Sequence, residues 1–127
     1  MILSQNFQNK KYMIKTKSIY APKTRGDGLR ILITRYYPRG IKKTHFDKWV
    51  RDLAPTKELL KEYKDEKIDW ESFQTNFKKQ MKDSESKNTI ESLAKISNNK
   101  NITLLCYEKD DEHCHRHIVQ KLITNTL

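Results

Sequence analysis

The stretch "LRILITRYY" (residues 29–37) is apolar at its centre, where Ile31, Leu32 and Ile33 follow one another. Consecutive apolar residues place side chains on both faces of a strand, as in parallel sheets that are covered on both sides. The "PRG" of residues 38–40 then ends the strand. We therefore predict a buried, parallel strand, and with it an α/β architecture.

Two more segments, one on each side of this stretch, have the composition of strands. The segment "ITLLCYE" (residues 102–108) is again apolar on both faces. Residues 12–20 are rich in Ile, Thr and Tyr, which favours a strand that ends before Pro22. The following "PKTRGDG" (residues 22–28) contains one Pro and two Gly, which predicts a loop.

Apolar residues at three- and four-residue steps predict five helices. We expect them over residues 45–53, 56–63, from the N-cap Asp69 to Met81, over 85–96, and from about Ile118 onward. The first depends on one stripe of apolar residues: Phe46, Trp49, Val50 and Leu53. In the third, the residues expected to face the core are Trp70, Phe73, Phe77 and Met81.

Strands separated by helices predict an α/β fold with a single layered domain, a small mixed or parallel sheet flanked by helices in a Rossmann-like arrangement. A chain of 127 residues with 35% apolar residues supplies one core. The polar residues 1–11 are predicted to form a flexible N-terminal tail. The domain then spans residues 12–127.

The chain is strongly basic, with 26 Lys and Arg against 16 Asp and Glu and a formal net charge of +10. This charge favours anionic partners such as nucleotides or nucleic acid, although scattered lysines also simply solvate a surface. No stretch approaches the roughly 20 apolar residues of a membrane span, and the N-terminus lacks the apolar segment of a signal peptide. We expect a cytoplasmic protein with no membrane partner and with reduced thiols.

The segment "YEKDDEHCHRH" (residues 107–117) falls between the carboxyl end of a predicted strand and a predicted helix. Anions collect at such positions, because free N–H groups and the helix dipole attract them. If the strand at residues 29–37 is parallel to this one, both carboxyl ends open at the same edge. A cationic pocket with one thiol is then expected from Arg35, Tyr36, Tyr37, Arg39, His113, Cys114, His115 and Arg116.

The environment of Cys114 depends on where the last helix begins. If the helix begins at Asp110, Cys114 lies in line with Ile118 and packs in the core. If it begins nearer Cys114, the helix dipole and Arg116 stabilise a thiolate and make it a nucleophile. Cys106, inside a strand, is expected in the core in either case.

The spacing of His113 and His117, four residues apart, allows two imidazoles to share a metal on one helix face. A third ligand is not evident from the sequence, because Cys114 and His115 point elsewhere on the same helix. We therefore predict no metal ligands and no cofactor.

Five segments resemble the YeaO-like proteins, family 488 of the domains of unknown function. They are "IKTKSIYAP" (14–22), "DGLRILITRYYPRGIKK" (27–43), "WVRDLAPTKELL" (49–60), "WESFQTNFKKQM" (70–81) and "TLLCYEKDDEHCHR" (103–116). The chain departs from the family pattern at Thr34, where an Asp is frequent, and at Tyr37, where a Trp is usual. The resemblance implies an α/β domain and implies no known reaction.

Three hypotheses about function follow. The first is a module in which Arg35, Arg39 and Arg116 bind a phosphate-bearing anion, a nucleotide or nucleic acid. The second is a thiol-dependent enzyme in which Cys114 attacks an electrophile and His113 or His115 moves a proton. In this hypothesis Arg39 and Arg116 hold an anionic substrate. The third is a homodimeric interaction protein, in which Tyr36 and Tyr37 are interface residues. The sequence leaves open whether the protein is an enzyme.

Overall fold

The computed structural model describes residues 12–109 and 113–126. Its sheet has four strands, β1 (Ile14–Ser18), β2 (Leu29–Leu32), β3 (Lys48–Trp49) and β4 (Ile102–Cys106). They are ordered β1-β4-β2-β3, and every neighbouring pair is parallel. Helices α1 (Lys57–Lys64), α2 (Trp70–Gln80) and α3 (Ser84–Ile96) connect β3 to β4, and α4 (His115–Thr126) follows β4. The predicted α/β fold with a small parallel, Rossmann-like sheet is confirmed.

The central strand is β4, which lies between β1 and β2. All five of its residues are buried, which explains why its sequence is apolar on both faces. Leu104 belongs to the large core that the helices cover, whereas Leu105 belongs to a smaller cluster with Ile19 and Leu32. The sheet therefore has one face under the helices and one face under loops.

The prediction of a helix over residues 45–53 is wrong. The chain there forms a 3-10 turn (Lys43–His45), the strand β3, and a second 3-10 turn (Arg51–Leu53). Its backbone pairs with β2, because the Val50 N–H donates to the Leu32 carbonyl at 2.7 Å. The four apolar residues do not share one face. Phe46 and Trp49 cover the loop side of the sheet, while Val50 and Leu53 pack on the helix side.

The helix starts agree with the capping pattern of the sequence. The Asp69 side chain accepts a hydrogen bond from the Ser72 N–H at 2.8 Å, which confirms the predicted N-cap of α2. The Thr56 hydroxyl caps α1 by accepting from the Leu59 N–H at 3.2 Å.

Within the described residues, no helix is long and apolar enough to cross a bilayer.

A buried ionic cluster fixes the loop between β1 and β2. The Asp27 carboxylate lies 2.9 Å from the Lys17 ammonium and 2.5 Å from the Arg30 guanidinium, and it also accepts hydrogen bonds from Thr24. Burial by itself raises the pKa of Asp27, but the Thr24, Lys17 and Arg30 donors outweigh it and hold that pKa well below its usual range. The Thr103 hydroxyl ties the Asp27 carbonyl to β4 at 2.7 Å.

Gly28 supplies the first stability prediction. Its φ of 64° lies in the left-handed region, and an added Cβ would sit 2.1 Å from the Asn101 carbonyl oxygen. That oxygen accepts the Leu29 N–H at 2.8 Å, so it cannot move away without breaking a bond of the sheet. Gly28→Ala should lower the free energy of unfolding by about 1–3 kcal/mol, measured by urea denaturation.

Gly40→Ala is the matched control for Gly28. Gly40 also has a positive φ, 78°, but nothing lies within 4 Å of its added Cβ. It should therefore cost only the backbone strain, and the difference between the two variants measures the clash with Asn101. Equal losses in the two variants would show that the close approach at Gly28 is not as described.

Candidate functional site

The carboxyl ends of β2 and β4 meet at one edge of the sheet, because the strands pair in parallel with Leu32 opposite Leu105. Helix α4 begins at His115, so Cys114 lies directly before its first turn. The side chains of Cys106, Cys114 and His115 are all buried at this edge. The predicted neighbourhood of strand end and helix start is therefore present, and it brings together two thiols and one imidazole.

The imidazole of His115 is the centre of this cluster. Its Nε2 lies 2.5 Å from the Ile33 carbonyl oxygen, a contact that requires Nε2 to carry a hydrogen and to donate it. In the neutral ring, Nδ1 then holds the lone pair. Nδ1 lies 3.8 Å from the sulfur of Cys114 and 3.8 Å from the sulfur of Cys106, whose sulfur is also 3.6 Å from Nε2.

The two thiols are in different states. Burial raises the pKa of Cys114, but hydrogen bonds with Cys106 and His115, the charge of His115 and the Arg116 backbone N–H together lower it to about 3. Burial, together with the hydrogen bond to Cys114, raises the pKa of Cys106 well above its usual value. The directions of these two shifts favour the thiolate form of Cys114 and the thiol form of Cys106.

Cys114 combines the two arrangements that the sequence left open. It lies at the start of α4, where N–H groups stabilise a thiolate, and it is also only 3% exposed and packs in the helix-side core. Residues 110–112, which precede His113, lie outside the described residues, and so does the predicted alternative helix start at Asp110.

Glu108 is a further member of the site that the sequence analysis did not identify. Its half-buried carboxyl group lies beside Cys114. Burial raises its pKa to about 7, with further contributions from the charge of Cys114 and a hydrogen bond to it. No strand alternation marks Glu108 in the sequence, because β4 ends at Cys106 and residues 107 and 108 form a bend.

The predicted anion-binding arginines do not converge on one pocket. Arg116 is buried, and its guanidinium donates to the carbonyl oxygens of Glu108 at 2.8 Å and Lys109 at 2.6 Å. It thus holds the loop that leaves β4. Arg35 donates to the Pro55 carbonyl at 3.0 Å, and Arg39 is exposed.

The two predicted tyrosines differ in their surroundings. The Tyr37 ring packs edge-on against Phe46 and Trp49, with centroids 6.0 and 5.5 Å away. Tyr36 is 49% exposed, and its carbonyl oxygen accepts a hydrogen bond from the Tyr107 hydroxyl. The Tyr37 hydroxyl donates to the Ile41 carbonyl and not to a thiol.

His113 is exposed, and its ring stacks on Trp70 of α2, with centroids 4.5 Å apart and an interplanar angle of 7°. Of the two histidines predicted to move a proton, His115 is therefore the one in contact with the thiols.

The fold and this edge together define an α/β protein with a buried thiol–imidazole cluster at the carboxyl ends of a parallel sheet. Residues 14–127 match a family model described as the active DUF488-N3 subclade. The chain belongs to this YeaO-like DUF488 family, as the resemblance in its sequence predicted.

Individual relatives support the same assignment. The chain is 34% identical to the uncharacterized protein YeaO of Escherichia coli over 104 residues, which cover 80% of this chain and 89% of YeaO. It is 23% identical over 112 residues to uncharacterized proteins of Mycobacterium tuberculosis and Mycobacterium bovis, covering 87% of this chain and 92% of each of them. No solved structure matches the chain.

Proposed function

We propose that this protein is a thiol-dependent enzyme in which Cys114 is the nucleophile and His115 its base. One observation carries the proposal: Nδ1 of His115 faces the Cys114 sulfur at 3.8 Å while Nε2 is held by the Ile33 carbonyl. A nucleophile, a base and a group that orients the base form the usual arrangement of an activated thiol. The description of the matched subclade as active agrees with a catalytic role.

The proposal gives each group a role. His115 accepts the proton of the Cys114 thiol, and the Ile33 carbonyl stabilises the imidazolium that forms. The thiolate then attacks an electrophilic centre of the substrate. Glu108, with a pKa of about 7, gives a proton to the leaving group or takes one from water, since a group that titrates near neutral pH serves either purpose.

Charge favours an anionic substrate. The chain carries a formal net charge of +10, and Arg39, Lys42 and Lys43 are exposed on the segment that follows β2. A phosphate-bearing or carboxylate-bearing molecule would be attracted to this basic surface. In this proposal Arg116 acts indirectly, since it positions the loop that carries Glu108.

The test is the pH dependence of alkylation of Cys114 in chelator-treated protein, read by mass spectrometry of its peptide. The rate should have a midpoint well below the free-thiol value of about 8.5, because the thiolate persists at low pH. His115→Ala should move the midpoint upward by at least about one pH unit, since the partner of the thiolate is lost.

His113→Ala is the matched control, because it removes a neighbouring imidazole that stacks on Trp70 instead of touching the thiols. Its midpoint should equal that of the unchanged chain. A wild-type midpoint near 8.5, or equal shifts in both histidine variants, would refute the assignment of Cys114 and His115. Screening anionic electrophiles against wild-type and Cys114→Ala protein would then identify the substrate.

Nucleic-acid binding is the second candidate, favoured by the net charge and by the exposed Arg39. The affinity should then fall steeply as the salt concentration rises from about 50 to 200 mM, because bound phosphates release counterions. Arg39→Ala should reduce the slope of log affinity against log salt by about 1, and should leave the free energy of unfolding within about 0.5 kcal/mol. An affinity that does not change with salt would exclude this function.

A further inference from the structure

We propose that Cys106, Cys114 and His115 bind one divalent cation of the zinc class, and that this cation competes with the electrophile for Cys114. The inference goes beyond the proposed reaction, because it gives a role to Cys106. The reaction uses only Cys114 and His115, and it leaves a second buried thiol beside them without a chemical role.

The ligand atoms are already gathered. The two sulfurs and an imidazole nitrogen lie within 4.8 Å of one another. In a tetrahedral zinc site, bonds of about 2.3 Å to sulfur and 2.0–2.1 Å to nitrogen place ligand atoms roughly 3.5–3.8 Å apart. Both sulfurs lie 3.8 Å from Nδ1 of His115. The Cys106 sulfur also lies 3.6 Å from Nε2, so a rotation of this side chain towards Nδ1 would complete the site.

The surroundings of the imidazole favour metal binding. Histidines that bind metals usually donate their other ring N–H to a carbonyl or carboxylate, which fixes the ring and makes it more basic. The Ile33 carbonyl accepts the Nε2 hydrogen of His115 in this way. The proposed ligands differ from the His113 and His117 pair whose spacing was considered in the sequence. The His113 ring stacks on Trp70 and does not contact the thiols.

Charge balance also favours a divalent cation. Two thiolates carry a charge of −2, so one divalent ion makes the buried cluster neutral. Binding would displace the proton of Cys106 and the proton shared by Cys114 and His115, and both protons would pass to solvent. Soft thiolate and imidazole ligands select zinc-like ions over magnesium or calcium.

A water completes the coordination, as in zinc sites with three protein ligands, and adds no charge to the cluster. The bound cation covers the sulfur of Cys114 and prevents its attack on an electrophile.

Cobalt(II) is the probe, because it substitutes for zinc and absorbs visible light when it is tetrahedrally bound by thiolates. The full chain, reduced and treated with a chelator, should bind one cobalt per molecule with thiolate charge-transfer and tetrahedral bands, and stoichiometric zinc should remove them. Saturating zinc should also slow alkylation of Cys114 at least tenfold and raise Tm.

Loss of a group that only hydrogen-bonds to a metal ligand weakens metal binding roughly 10- to 100-fold. Cys106→Ser removes a ligand itself, so it should weaken cobalt binding by more than this. Circular dichroism checks that this variant is folded. If this variant is unfolded, the test of the metal site is whether zinc protects Cys114 from alkylation in the unchanged chain. His113→Ala is the matched control, since it keeps all three ligands and should bind cobalt like the unchanged chain.

The outcomes separate the two proposals. Rapid, low-pH alkylation of Cys114 with no cobalt bands would overturn the metal site and leave the thiol–imidazole pair standing. Metal binding together with a Cys114 midpoint near that of a free thiol would support the metal site and overturn the nucleophile. Cobalt bands that persist in Cys106→Ser, or zinc that binds without protecting Cys114, would place the metal elsewhere and overturn this inference.

Discussion

Replacement of Phe77 by alanine is expected to lower the free energy of unfolding by about 3–5 kcal/mol. Phe77 lies in the C-terminal half of α2 and is fully buried in the helix-side core. Its ring is parallel to that of Phe73 at 6.1 Å and packs edge-on against His115 at 5.4 Å. The alanine variant would lose these contacts and leave a cavity between α2 and the sheet edge.

Urea denaturation of the two proteins measures this loss, and Phe77→Leu is the matched control. Leucine keeps most of the apolar volume, so it should cost less than about 1.5 kcal/mol. Because Phe77 also supports the His115 ring, the alanine variant should in addition raise the alkylation midpoint of Cys114. A loss below about 1 kcal/mol in Phe77→Ala would show that α2 does not pack on this edge as described.

Asp27→Asn is expected to cost a similar amount, about 3–5 kcal/mol. The Asp27 carboxylate is the acidic group that faces three cations, Lys15, Lys17 and Arg30. Arg30 is itself fully buried, so removal of the negative charge would leave a buried guanidinium without compensation. Asp65→Asn is the control, because the Asp65–Lys61 pair is exposed and screened by solvent, so its loss should cost far less than that of Asp27.

The same carboxylate predicts a pH dependence. The folded state lowers the pKa of Asp27 below the unfolded value of about 3.9. Its stabilising contribution is therefore complete above that unfolded value, and it is lost as the pH falls from there towards the folded pKa. Urea denaturation at several pH values below 5 should show that the free energy of unfolding of the unchanged chain falls as the pH falls. The decrease should be smaller in Asp27→Asn. Identical acid profiles would contradict this role.

The sequence predicted the elements whose local signals agree with their tertiary surroundings. The doubly apolar pattern located β2 and β4, and the capping residue located the start of α2. The prediction was wrong for residues 45–53, where the chain passes from the loop-side cluster to the helix-side core. Phe46 and Leu53 have helical spacing but pack on opposite sides of the sheet, and only the pairing of β3 with β2 reveals this.

The candidate site was predicted in part for the same physical reason. Strand ends and helix starts can be located from composition, so Cys114 and His115 were placed at the correct edge. The direction of a long side chain depends on which carbonyl groups happen to lie nearby, and Arg116 turns towards the Glu108 and Lys109 carbonyls. Glu108 was missed because its pKa depends on burial and on the approach of the Cys114 thiol, and composition reveals neither.

The order of strands in the sheet also has a consequence for how the chain acquires its structure. β4 separates β1 from β2, and Ile14 pairs with Ile102 across most of the chain. During synthesis β1 and β2 therefore cannot join the sheet until β4 has been made. Sheets that depend on such long-range strand pairing form slowly. Cys106 ends that last strand and Cys114 follows it. The Cys106 sulfur is thus exposed to oxidants until β4 joins the sheet and buries it.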